Sequence, residues 1–422
     1  MGTITVCLTN FPKVSVPWIG VAGLFSYTLP ALVGLTSPVA APGMTGYFAP
    51  TSDRATMVMA VVWMAFGLSI IAANAFHAIN RQEVRVLSHP RYINRFLTLT
   101  FVLSMGLFAS FVIRYGAGWF LQTRSDLSSL VGVDWLIWKW SNALGLLIAA
   151  YFFTWSRLCK IYTVFFGAMI VVNIVAGDRT TPVIAMVGVI VSLSWGMPIG
   201  RAVFASRAWL GAGLVLAIIF LAKPFYVALK TGASFGEVFN SMSTMSFQMG
   251  WEAFGTHELL ERVLALNVSY SPWATVRDCL AQFLVMPSAF GFGSTGYNDL
   301  IQSQVISYAT YGLASNFWAH WWSMFGIVGV IIGGMVYGLS LVFLNNLVQR
   351  SGGMTFFLFI ILAATLGVYA HRNSPENVLA LMRPILLAYA VVWLAMYIIP
   401  FRTTDGGTVR VMSPTRRVHR NA

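Results

Sequence analysis

Charge is what this chain has least of. Only 9% of its residues are Asp, Glu, Lys or Arg, against about 25% in a typical soluble domain. That shortfall excludes a molecule covered by water on all sides. A mean hydropathy of +0.74 and 58% hydrophobic residues point to a lipid-embedded one. Acids are scarcer than bases, 13 against 26. The three cysteines, Cys7, Cys159 and Cys279, are odd in number, far apart and without C-x-x-C spacing. They argue against a disulfide framework or a zinc site. No Walker loop supports ATP-driven transport, no D-x-D pair suggests a metal-dependent sugar transferase, and no repeat of fixed period is visible. One early lysine, Lys13, and no small-residue cleavage site after a short apolar core make the first apolar stretch a retained span.

What the chain does have is apolar runs. A helix needs about 20 mostly apolar residues to cross the hydrocarbon core. Such runs lie near 14–35, 55–76, 96–114, 135–155, 161–177, 181–198, 208–229, 316–347, 354–371 and 378–400. The expected fold is an all-α polytopic membrane protein of about ten transmembrane helices with one large, partly helical outer loop. The runs 161–177 and 181–198 are separated only by Gly177-Asp178-Arg179-Thr180, which predicts a tight helical hairpin. Aromatic residues reach 14%, enough to furnish belts at the membrane interfaces.

Charge sets the orientation. With both termini cytoplasmic, the inner connections hold Lys13, Arg81, Arg85, Arg91, Arg95, Arg157, Lys160, Arg201, Arg207 and Arg350, and the tail adds Arg402, Arg410, Arg416, Arg417 and Arg420. Only Glu83 and Asp405 oppose them, so the net charge of +13 sits on one side, as the positive-inside rule requires. These short basic flanks lack any nucleic-acid-reading motif, and their role is orientation and contact with anionic lipid headgroups. Four regions follow: an N-terminal transmembrane bundle over 1–229, a periplasmic loop over 230–315, C-terminal transmembrane helices over 316–400 and a basic cytoplasmic tail over 401–422. The expected site of residence is a bacterial inner membrane.

The connection 230–315 is too long for a turn, and long connections are usually functional or structured. Trp251 to Leu266 reads as an amphipathic helix, and Ala274 to Val285 repeats the pattern, so both are expected to lie in the outer interface. The stretch from Pro287 to Gly296 follows, rich in Gly and Ser and unsuited to regular structure.

A charge inside the bilayer costs about 2.5–3.5 kcal/mol on insertion scales and calls for a reason. Arg383 lies within the last span, about 9 Å inside its outer end at 1.5 Å per residue. Arg114, Arg179 and Arg372 close or open spans at the outer level, where Lys223 also falls. Each alone reads as an interfacial anchor. Together, at one membrane level, they are expected to converge on a polyanion such as a lipid-linked phosphate or pyrophosphate, which guanidinium binds with a bidentate fork. The outer acids Glu252, Glu258, Glu261 and Asp278 are candidates for a general base, although Glu258 and Arg262 at i,i+4 also suit a solvated helix pair. His320, in Ala319-His320-Trp321-Trp322, is either catalytic or a satisfied interfacial histidine. The glycines of Phe325-Gly326-Ile327-Val328-Gly329-Val330-Ile331-Ile332-Gly333-Gly334 allow close helix approach.

The run from Asn316 to Gly329, with its aromatic stretch leading into Phe325-Gly326-Ile327-Val328-Gly329, resembles the late hallmark of O-antigen polymerases. Met286-Pro287-Ser288-Ala289-Phe290 is similar to that family's short Pro-containing loop segment. Arg179 after Gly177-Asp178, and Arg114-Tyr115-Gly116, match its habit of arginines at span ends. Two features depart from related patterns: the outer loop carries no Arg-x10-Gly pair of the kind described for some members, and His320 is followed by Trp321 where O-antigen ligases carry Asn. The resemblance implies a metal- and cofactor-independent glycosyltransferase related to the multi-span lipid-dependent transferases. Its substrates would be undecaprenyl-pyrophosphate-linked oligosaccharide repeat units, joined at the outer leaflet into a surface polysaccharide such as lipopolysaccharide O-antigen. Membrane lipid and a chain-length regulator protein are the implied partners, and no nucleic acid. In that reading Glu252, Glu258, Asp278 and His320 are the catalytic candidates, and Arg114, Arg179, Lys223, Arg372 and Arg383 the pyrophosphate ligands. Another polyprenyl-phosphate-dependent transferase, a ligase, and a lipid-linked sugar transporter are the alternatives.

Overall fold

A computed structural model of the protein describes residues 2–36, 49–76, 90–116, 133–148, 161–175, 178, 180–205, 232–234, 236–237, 252–284, 296–305 and 315–398. Among these the architecture is helical, apart from a two-residue antiparallel pair in which Leu35 faces Pro50. Six helices are long and apolar enough to cross a membrane. They are α2 (Val16–Val33), α3 (Asp53–Ala75), α4 (Pro90–Tyr115), α12 (Phe317–Arg350), α13 (Gly353–Ala364, with its extension to Arg372) and α14 (Pro375–Ile398). Shorter apolar helices occupy three more expected spans: α5 (Val133–Ile148), α6 (Ile161–Val175) and α7 (Thr180–Ser194). The expected span 208–229 lies outside the described residues. The remaining helices are α1 (Gly2–Asn10), α8 (Ile199–Ala205), α9 (Glu252–Leu266), α10 (Pro272–Ala281) and α11 (Tyr297–Gln304).

Local signals explain the boundaries. Pro17 stands in the first turn of α2, and Gly34 closes the helix at φ 72°, a left-handed C-terminal position that glycine takes at least cost. Ser52 caps α3 by accepting from the Ala55 amide at 3.1 Å, with Asp53 in the first turn. Glu261 of α9 reinforces that cap from 209 residues away, accepting the Ser52 amide at 2.7 Å and the Ser52 hydroxyl as well.

Two apolar cores result. One joins α2, α3, α9 and α12; the other joins α4, α5, α6, α13 and α14. Where α12 lies along α3, small residues set the distance. A Cβ on Gly334 would meet Ala65 at 2.7 Å and one on Gly338 would meet Ser69 at 1.9 Å. The contact of α2 with α13 brings helix against backbone, since a Cβ on Gly23 would lie 2.0 Å from the Gly367 carbonyl oxygen. There α13 widens into a π-helical turn over Thr365–Tyr369 before a single 3-10 turn, Ala370–Arg372.

The departure from the expected single span over 316–347 is a break within α12. Phe325 has φ −143° and ψ 18°, and Gly326 has φ 59° and ψ −138°. The arm 317–325 folds back antiparallel along 327–337. Trp318 lies 5.7 Å from the Tyr337 ring, a pair that continuous helix would separate by about 28 Å. Both later glycines of the Phe-Gly-x-x-Gly stretch and its continuation serve this fold: a Cβ on Gly329 would lie 2.0 Å from the Trp321 carbonyl oxygen, and one on Gly333 would strike the Trp321 ring at 2.5 Å. Segment 327–350 alone, about 36 Å of helix, suffices to cross a bilayer.

Helix α9 also differs from a helix lying flat in the interface. It packs into the bundle, burying Phe254, Leu259, Leu260, Val263 and Leu264. Its start meets the start of the arm, where Asn316 Nδ2 donates to the Thr256 carbonyl at 2.9 Å. Its end meets the break, where Arg54 donates to the Leu264 carbonyl at 3.0 Å and stacks 4.8 Å over the Trp322 ring. So α9 and the arm run side by side in one direction.

Candidate functional site

Leaving α9, the chain turns at Asn267, which adopts φ 48°, and docks on the arm through the Tyr270 amide, donating to the Ser323 carbonyl at 2.9 Å. Ser271 then caps α10, with Pro272 in its first turn. One face of α10 carries Thr275, Asp278 and Ala281 inward. The other exposes Trp273, Val276, Leu280 and Phe283 at helical spacing, with Trp273 75% and Phe283 74% exposed. A ten-residue helix is far too short to span a bilayer, so this arrangement suits a lid with an apolar outer side.

Beneath α10 lies a compact polar cluster. Asp278 is 8% exposed and fully engaged: Tyr270 donates its hydroxyl to Oδ2 at 2.8 Å, and Arg277 donates to Oδ1 through Nε at 3.0 Å and Nη2 at 2.8 Å. His320 of the arm is buried, with Nε2 2.9 Å from the Thr275 hydroxyl and its ring 4.3 Å from that of Tyr297. The Nδ1 atom makes no hydrogen bond among the described residues. Ser323 donates to the Ala319 carbonyl at 2.8 Å, so the Tyr297 hydroxyl, 2.9 Å away, donates to Ser323. Burial raises the pKa of Tyr270, assisted by its bond to Asp278 and by the charges of Asp278 and Glu376, with Arg277 opposing. Burial also raises Tyr297 and pushes the Cys279 thiol up to about 12. These tyrosines are therefore permanent donors, and Cys279 stays a neutral thiol.

Glu376 completes the cluster from the first turn of α14. It is 4% exposed, beside Gly296 at the start of α11, where a Cβ would lie 3.5 Å from its Oε1. The Ser374 hydroxyl and the Tyr297 and Glu376 amides approach the carboxylate, but none with hydrogen-bond geometry among the described residues.

The structure brings together three of the residues singled out from sequence: Asp278, His320 and Arg383. Arg383 does not face open space. Its Nη1 donates to the Leu284 carbonyl at 2.8 Å and approaches the Gln282 carbonyl and side-chain oxygen at 3.4 Å each. It thereby holds the carbonyl end of α10, where a cation also complements the helix dipole. Glu258 is paired with Arg262 at 2.9 Å across one turn of α9. Arg372 is half-buried at the end of the 3-10 turn, 5.1 Å over the Tyr369 ring. Arg114 stands in the exposed last turn of α4. Arg179 and Lys223 lie outside the described residues, as does the Glu252 side chain, whose backbone opens α9.

Sequence reasoning missed Glu376, Tyr270, Tyr297, Thr275 and Arg277. For Glu376 the signal was misleading, because Ser374-Pro375-Glu376 reads as an ordinary helix start with a first-turn acid. Only its position, at the mouth of an apolar span in a chain with 13 acids, could have marked it.

A second buried group closes the deep end of the arm. Tyr337 donates to the Gly367 carbonyl at 3.0 Å, which leaves His371 Nε2, also 3.0 Å away, to donate to the Tyr337 oxygen. His371 further stacks on Tyr27 at 5.2 Å. Among the described residues no group of three or more His, Cys, Asp or Glu side chains could hold a metal ion. Comparison of the chain with protein-family models, with curated proteins and with solved structures gives no match.

Proposed function

We propose that this chain is a membrane-embedded glycosyltransferase that polymerises undecaprenyl-pyrophosphate-linked oligosaccharide repeat units at the outer leaflet of a bacterial inner membrane. The observation that carries the reading is the Asp278–His320–Glu376 cluster. It is a buried acid–base group set in an otherwise apolar bundle and roofed by a helix whose outer side is apolar. The basic residues at the opposite ends of the spans support an outer location for this cluster. The resemblance of Asn316–Gly329 to O-antigen polymerases lends further support, because those residues build the arm that carries His320.

The chemistry is a displacement at an anomeric carbon. The hydroxyl oxygen of one lipid-linked unit attacks that carbon in another. A carboxylate of the cluster accepts the hydroxyl proton. The bond from the anomeric carbon to the pyrophosphate oxygen breaks, and its electron pair departs with undecaprenyl pyrophosphate. Preorganised cations stabilise the charge that develops on the leaving group, each worth about 3–4 kcal/mol of barrier. Arg372, Arg114, Arg179 and Lys223 remain the proposed clamp, joined by Arg277 on the exposed edge of α10. Arg383 serves the site through α10, whose carbonyl end it holds.

The test is reconstitution of the full chain in lipid vesicles with undecaprenyl-pyrophosphate-linked repeat units. A ladder of polymer on a gel is the expected result, shortened or lost in Arg179→Ala and Arg372→Ala. No product beyond a single repeat would refute the proposal. Wild-type polymer from both arginine variants would refute the clamp alone.

A further inference from the structure

We infer that Glu376 is the catalytic base that receives the proton of the attacking sugar hydroxyl, an inference that rests on the glycosyl-transfer reading above. The argument starts from the lone pairs. Asp278 spends its oxygens on three donated hydrogen bonds, from Tyr270 and twice from Arg277. With both oxygens already accepting, that carboxylate has little room left to receive a sugar hydroxyl. Glu376 is more deeply buried, and neither of its oxygens has a hydrogen-bond partner among the described residues. Burying a carboxylate whose nearest donors, the Ser374 hydroxyl and the Tyr297 and Glu376 amides, fall short of hydrogen-bond geometry is costly, so this pair of oxygens points to a ligand that supplies a better-placed donor. A sugar hydroxyl is such a donor.

Its surroundings fit the task. The carboxylate belongs to the first turn of α14, a rigid support fixed by the Ser374 carbonyl, which accepts from the Asn377 and Val378 amides at 3.1 and 3.2 Å. Ser374 also reaches Asn298 of α11 at 3.5 Å, so two helices register the position. Gly296 stands beside the carboxylate, where a Cβ would lie in ordinary contact, 3.5 Å from Oε1. His320 Nδ1 is the other unengaged buried atom of the cluster and is suited to orient a neighbouring hydroxyl of the same sugar. In the reaction the acceptor O–H breaks as the new bond to the anomeric carbon forms. Its proton passes to Glu376, and the pyrophosphate takes the electron pair of the bond it leaves. Asp278 is then a positioning residue, fixing Tyr270 and the inner face of α10.

The experiment measures polymerisation rates across pH with the full-length protein in vesicles. Glu376→Gln is expected to lower the rate about 10²–10⁴-fold, the usual worth of a general base, and to abolish the acid limb of the profile. Glu376→Asp should keep that limb and part of the rate. Asp278→Asn should raise KM more than it lowers kcat. A measurement without a variant runs alongside: an apolar carbodiimide applied to wild-type protein should modify Glu376, and lipid-linked repeat units should protect it. Glu376→Gln within tenfold of wild type with its acid limb intact would overturn the inference and leave the polymerase reading standing. So would modification of Glu376 that is indifferent to substrate. A wild-type protein that forms no polymer would overturn both.

Discussion

Gly326 shows how much of this architecture can rest on one residue. At φ 59° and ψ −138° it occupies backbone space that a side chain strains, and the reversal of the arm takes place there. Gly326→Ala should cost about 1–3 kcal/mol, read as a lower melting temperature in detergent, and should weaken the site before the bundle. His257 offers a second test at this scale. It is almost wholly buried in α9, and burial lowers its pKa to about 4. In the unfolded chain it would titrate near 6.5, so its contribution to stability is complete above that pH and is lost as pH falls towards 4. Glu261, 3.6 Å away, offsets little of this because Ser52 already occupies both its oxygens. Stability should therefore decline by up to about 3 kcal/mol between pH 6.5 and 4, and His257→Leu should flatten that slope in acid denaturation. Neither residue announced its role in the sequence. The glycines were legible as a close-packing stretch, but which of them turns the chain depends on what Trp321 and Tyr337 meet after folding.

At the scale of elements, the clearest prediction concerns α10. It is pinned by its Ser271 cap, by Asp278 and Thr275 on its inner face, and by Arg383 at its carbonyl end. Hydrogen bonds from a charged donor contribute about 1.5–3 kcal/mol. Arg383→Gln should raise amide exchange across 272–284 while exchange in α3 stays unchanged, and polymer formation should fall with it. An unaltered exchange pattern would show that Arg383 does not hold the helix. Helix positions were the most legible part of this protein, since the runs of apolar residues locate α2, α3, α4, α13 and α14 to within a few residues. Direction was not legible. Hydropathy registers that 317–325 is apolar but is blind to its folding back along 327–337. Likewise the amphipathic pattern of α9 is the same whether its apolar side meets lipid or the bundle. The acids were seen as a set, yet Asp278 and Glu258 separate only through their partners, Tyr270 with Arg277 for one and Arg262 for the other.

For the whole molecule, the six long apolar helices and the one-sided basic residues make a topological prediction. In a variant lacking the three natural cysteines, a cysteine at Ser351 should react with an impermeant thiol reagent only after the membrane is opened, and one at Ser269 should react in intact cells. Equal reactivity from one side would overturn the orientation. In the source cell, deleting the gene should collapse a surface-polysaccharide ladder to its single-repeat band. Loss of that band too would indicate an earlier step, such as flipping.

The folded-back arm has a consequence for the order in which the protein comes into being. Apolar helices enter a bilayer one by one and associate afterwards. The arm cannot take its place until Tyr337, His371 and Thr256, which come from three separate helices, have been gathered around it. The chemistry is thus assembled last, upon an anchor already complete. By the same logic it is the first part to come undone: on warming, the site should melt while the anchor persists, leaving a protein that is still membrane-bound and already silent.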